Sequence, residues 1–103
     1  MELYFKSKVR NCDAVCEMKE GKFIVKKGSI ISPKISHFKV SKQVVSARGD
    51  KNIVGKDNVT LKDVVFKSSS TAAQFVSGAS VNGKVAWKDK NKNNLKKIEK
   101  AED

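Results

Sequence analysis

The chain has 103 residues, and its 22 lysines and arginines outnumber 11 acids to give a net charge of +11. One domain is the natural count at this length, and recurring Val, Ile, Leu and Phe exclude a disordered chain. No apolar run approaches the roughly 20 residues that cross a bilayer, and "MELYFKSKVR" lacks the apolar core of a signal peptide, so a cytoplasmic protein without a membrane partner is expected.

Residues 3–10, "LYFKSKVR", alternate: Leu3, Phe5 and Val9 fall on one face, and Tyr4, Lys6, Lys8 and Arg10 on the other. That is the pattern of a half-buried strand. "DAVCEMKEGKFIVKKGS" predicts a hairpin turning at Glu20-Gly21, with Ala14, Cys16 and Met18 facing the core from one strand and Phe23 and Val25 from the other. In "SPKISHFKVSKQVVSAR", Ser32 is placed to cap a helix with Pro33 at its first position. The β-branched content favours helix only over the later half, residues 38–48, where Phe38, Val40, Val44 and Val45, with Ile35 before them, give a broad apolar face. "GDKNIVGKDN" is a loop, and "VTLKDVVF" is a short strand or a turn into one.

The segment after Phe66 carries the clearest helix signal. Thr71 and Gln74 have capping-box spacing, with Ser68 or Ser70 as alternative caps, and Gly78 stands where a left-handed residue ends the helix. Asn82-Gly83 is a tight turn. The chain then alternates, with Val85 and Trp87 on one side and Lys84, Ala86 and Lys88 on the other. Leu95 and Ile98 dock a last turn, and residues 101–103 fray beyond a single domain over residues 1–100. The fold class is α+β: a small, mostly antiparallel sheet with two short helices packed on it.

Catalytic chemistry finds little support. His37 is the single histidine and has no acid neighbour in sequence. Asp63 and Asp89 have no convergent partner, and no Gly-rich phosphate loop is present. Cys12 and Cys16, spaced C-x3-C, fall short of a zinc site by two ligands and lack the two-residue spacing of redox motifs. They read as reduced, buried, apolar residues. No cofactor and no metal are expected.

"FKSSSTAAQFVSGASVNGKVAWKD", from Phe66 to Asp89, resembles a bacterial domain of unknown function whose hallmark is phenylalanine, a serine turn, alanines, glycine, Asn-Gly, then tryptophan and a basic residue. The matching positions here are Asp63, Phe66, Ser68, Ser70, Ala72, Ala73, Gly78, Asn82, Gly83, Trp87 and Lys88. Upstream, Ala14, Gly21, Phe23, Val25, Gly28 and Ser29 match as well. That family is typically appended to the C-terminus of GIY-YIG-type nucleases and other restriction-related proteins. It looks related to the RAMA module associated with adenine methylases and restriction enzymes. Ser69 replaces the family's proline, Thr71 its first alanine, and Asn93 and Asn94 occupy the place of a glycine. The resemblance implies work beside a nuclease or methylase domain and no catalytic residue of its own.

The charge favours a polyanion. Arg10 and Arg48 are the only arginines, so lysine–phosphate contacts dominate and sequence preference is weak. The expected function is nucleic-acid binding, DNA foremost, through Lys84, Lys88, Lys90 and Lys92 beside Ser68, Ser69, Ser70 and Asn82. The lysines equally suit a solvated edge strand, the serines simple helix capping, Asn82 a turn, and Trp87 the core rather than a base-stacking surface. The alternative function is a protein-interaction or structural module of a restriction-type or nuclease protein.

Overall fold

In the computed structural model, which describes residues 1–36 and 40–102, four strands form an antiparallel meander in the order β1-β2-β3-β4. They are β1 (Glu2–Ser7), β2 (Cys12–Lys19), β3 (Lys22–Val25) and β4 (Val64–Phe66). Alternation puts Leu3, Phe5, Ala14, Cys16, Val25 and Phe66 in the core. The β2–β3 hairpin turns where expected. Glu20 and Gly21 both take positive φ, +52° and +75°, the pairing that a two-residue turn matched to strand twist requires. Val9 departs from its expected place. The strand stops at Ser7, the chain turns with Asn11 N–H donating to the Lys8 carbonyl, and Val9 is left 96% exposed.

The first helix, α1 (Lys42–Gly49), is capped by Ser41, whose hydroxyl accepts from the Val44 amide. Ser32 caps nothing. Its amide donates to the Val76 carbonyl and its own carbonyl accepts from Arg48, and residues 33–36 form no helix. Phe38 and His37 lie outside the described residues. The second helix, α2 (Ser69–Ser77), starts one turn earlier than a Thr71 cap would place it. Ser68 is the cap, accepting from the Thr71 amide at 3.1 Å. Gln74 accepts instead from the Ser41 amide, tying α2 to the start of α1. Gly78 ends the helix at φ +73°. Ala72, Ala73, Phe75 and Val76 are buried against the sheet, with the Phe75 and Phe66 rings 5.2 Å apart.

Residues 82–88 overturn the expected alternation. Asn82 caps a single helical turn, α3 (Gly83–Ala86), which leaves Val85 45% exposed while Trp87 is 0% exposed. Backbone proximity dictates this. Gly83 lies so close to α2 that a Cβ there would sit 2.2 Å from the Ser69 carbonyl carbon. The Gly83 amide donates to the Ser70 hydroxyl, and the Trp87 indole N–H to the Ser69 carbonyl at 3.0 Å. Trp87 also meets Phe5 edge-on at 5.8 Å. A fourth helix, α4 (Leu95–Glu102), follows; it buries Leu95 and half-buries Ile98. The expected last turn is thus a longer helix. The architecture is α+β, with four short helices on an antiparallel sheet.

Asp63 fastens the start of β4 to the end of β3. Its carboxylate accepts from the Lys27 amide at 2.8 Å and from the Lys26 ammonium at 3.0 Å, holding its pKa below the usual aspartate value. Such a group stabilises the fold above its unfolded pKa near ~4, and that contribution fades as pH falls through the lower folded value. Asp63→Asn is therefore expected to lower the Tm at pH 7 and to flatten its decline on acidification below about pH 5, as read by thermal melts across pH. Gly83→Ala is expected to cost about 1–3 kcal/mol through overpacking, whereas Val85→Ala stays within about 0.5 kcal/mol. Urea unfolding followed by Trp87 fluorescence measures both.

Candidate nucleic-acid interface

The chain returns to β1 immediately after Trp87. Lys88 and Tyr4 exchange two backbone hydrogen bonds, of 2.7 and 3.0 Å, forming one antiparallel bridge at the outer edge of β1. Beyond it the chain turns back on itself through Asp89–Asn93. The Asp89 carboxylate accepts from the amides of Asn91 and Asn93, both at 2.9 Å, and the Asp89 amide donates to the Asn93 carbonyl at 2.8 Å. Lys92 takes a positive φ of +66° to close the turn. The Asn93 amide bond is the main reason the Asp89 carboxyl titrates below the usual aspartate range.

Between β1 and this turn lies an open groove of about 700 Å³. Lys6 and Lys8 line it from one side and Lys88, Lys90 and Lys92 from the other, with Tyr4 between them. Asp89 is the one carboxylate on its wall, and that carboxylate is turned to the backbone amides of its own loop. Among the described residues the ion pairs involve Lys26 with Glu17 and Asp63, and Lys84 with Glu99. None engages the five groove lysines. Five lysines against the single carboxylate of Asp89 leave the groove wall with a net positive charge and a raised local potential.

The sequence-derived site therefore divides. Lys88, Lys90 and Lys92 come together. Lys84 does not join them; it stands on α3 and pairs with Glu99 of α4 at 2.9 Å. The serine turn lies apart from the groove lining and serves the fold. Ser68 caps α2, the buried Ser69 offers its carbonyl to Trp87, and Ser70 accepts from Gly83. Asn82 accepts from the Lys84 amide at 3.0 Å, so its side-chain oxygen is spent on the α3 cap. Lys6 and Lys8 were the omitted members. The outward face of Lys6 on β1 was readable from alternation, but the turn that carries Lys8 beyond Ser7 and the pairing of β1 with residue 88 were not.

Cys12 and Cys16 are buried free thiols on one face of β2, the burial raising the pKa of both and pushing Cys16 up to about 12. Four residues apart on a strand, their Cα atoms are about 13 Å apart, beyond the reach of a disulfide. Arg48 is also committed to the fold. Its guanidinium donates to the carbonyls of Phe75, Ser32 and Lys34. Arg10, exposed in the β1–β2 turn, is the arginine left on the surface. Among the described residues no cluster of three potential metal ligands occurs, and no helix is long and apolar enough to cross a membrane.

No curated protein and no solved structure matches the chain. The family model of a domain of unknown function, DUF4357, matches residues 3–99, in agreement with the resemblance carried by the Phe66–Asp89 stretch. Nearly every element described above lies within that match, and the chain belongs to the DUF4357 family of domains of unknown function.

Proposed function

We propose that this is a non-catalytic, basic accessory domain that binds nucleic acid, DNA foremost, through lysine–phosphate contacts in the groove between β1 and the 89–93 turn. The observation that carries this reading is the convergence of five lysines outside any ion pair, opposite a carboxylate already held by its own loop. The +11 net charge extends the same preference to the whole surface. Lysine contacts track a phosphate backbone and carry little base information, so binding of weak sequence preference follows. The resemblance of Phe66–Asp89 to the nuclease-associated domain supplies the context: a neighbouring nuclease or methylase domain performs the chemistry and this one adds affinity. Asp63 and Asp89, bound to backbone amides, suit a structural role better than general acid–base work. Two buried thiols out of disulfide reach fit a reducing cytoplasm.

A second reading rests on the outer face of the sheet. There Val65 is 50% exposed beside a partly exposed Ile24, an apolar surface suited to a neighbouring protein domain.

Fluorescence anisotropy with labelled oligonucleotides at several salt concentrations separates the two. The nucleic-acid reading expects affinity to fall with salt at a log–log slope of several units. Lys6→Gln, Lys88→Gln and Lys90→Gln each lower that slope by about one unit, while Lys84→Gln leaves it nearly unchanged. Absence of binding at low salt overturns this reading in favour of the second.

A further inference from the structure

We propose that the lysine groove takes single-stranded rather than duplex nucleic acid, and that Tyr4 is the surface on which a base stacks. This rests on the nucleic-acid reading above and adds the form of the ligand. Tyr4 and Lys88 stand directly opposite each other in an antiparallel bridge, so their side chains project from the same face. That face is the one turned away from the helices, since Leu3 and Phe5, the neighbours of Tyr4, point into the core.

Tyr4 is 38% exposed, whereas Trp87, Phe66 and Phe75 are fully buried. Its hydroxyl donates to the Glu2 carboxylate at 2.8 Å. That bond is solvent-exposed and restrains the ring only lightly, so the ring face rather than the hydroxyl carries the stacking. The ring also lies between two depressions. One holds the five lysines; the other is formed with Glu2, Asp89 and Lys90. A strand crossing Tyr4 thus meets an aromatic face with ammonium groups on its flank, the pairing that single-strand binders use.

A duplex can use the same lysine–phosphate contacts, but its base faces are hidden in the stack, so Tyr4 adds nothing to duplex binding. An unpaired base has a free face for the ring, whatever its identity.

The test compares a labelled oligothymidylate with a hairpin duplex of equal phosphate number, using wild type, Tyr4→Phe and Tyr4→Leu. Phenylalanine keeps the ring and loses only the Glu2 bond; leucine keeps apolar bulk without a π face. Single strand is expected to bind more tightly than duplex. Tyr4→Phe is expected to stay within about twofold of wild type, and Tyr4→Leu to lose about tenfold in single-strand affinity at an unchanged salt slope. Unchanged Trp87 emission and Tm certify the fold of each variant. Tyr4 is the sole tyrosine, so its ring proton signals report stacking directly by an upfield shift on titration with the single strand. Equal or tighter duplex binding, or wild-type affinity in Tyr4→Leu, overturns the inference and leaves the nucleic-acid function standing. Failure of both ligands to bind overturns the two together.

Discussion

The hydrogen bond from the buried Trp87 indole to the Ser69 carbonyl fixes the geometry on which the rest of the molecule depends. Ser69 is the first residue of α2, so the bond joins the start of the central helix to a segment 18 residues later. It forms because Gly83 lets the backbone of α3 press against Ser69 and Ser70 with no side chain between them. With the indole so placed, its ring meets Phe5, and the next residue, Lys88, falls beside Tyr4 to make the β1 bridge. The lysine groove is the outer consequence of that inner contact. A buried indole N–H without its acceptor costs about 1–3 kcal/mol, which makes the arrangement strongly preferred over one that releases the loop.

The opposite end of α2 is secured by a different device. Arg48 reaches from the last turn of α1 and donates to the carbonyls of Phe75, Ser32 and Lys34. A cation at a helix C-terminus meets carbonyls that have no partner within the helix. Partial burial lowers the guanidinium's pKa, but the group remains charged at any physiological pH. Gly78 passes so near the Lys34 carbonyl that a Cβ would lie 1.9 Å from its oxygen. Both ends of α2 are therefore held by backbone carbonyls accepting from long side chains, and by glycines that permit close approach. This division of labour leaves the side chains of Lys6, Lys8, Lys88, Lys90 and Lys92 outside the ion pairs among the described residues.

Local patterning made the β-hairpin and α2 legible, because each depends on near neighbours: the Glu20-Gly21 turn, the Ser68 cap, the Gly78 stop. Trp87 is buried as expected, but through contacts with Ser69 and Phe5 rather than through strand alternation with Val85. The alternation around Trp87 failed for a non-local reason. Lys84-Val85-Ala86 reads as a strand by period, yet contact between Gly83 and α2 and the Asn82 cap wind it into a helical turn. The candidate site suffered from the same blindness. A run of alternating lysines at 84, 88, 90 and 92 suggested one surface, but helical winding turns Lys84 toward Glu99. Lys6 and Lys8 entered the site through a bridge between residues 4 and 88, a pairing that no local pattern encodes. Serines that looked fit to bind a phosphate are consumed by capping and by the Trp87 and Gly83 contacts.

The Phe66–Trp87 stretch builds the fold, and in the proposed function the β1 groove meets the ligand. Backbone amide mapping by NMR, titrating the labelled protein with a short DNA single strand, tests it most directly. Shifts are expected to concentrate at Tyr4, Lys6, Lys8 and residues 88–92, and to leave Ser68, Ser69, Ser70 and Asn82 near their free positions. Shifts centred on the serine turn, with the β1 edge undisturbed, would contradict it.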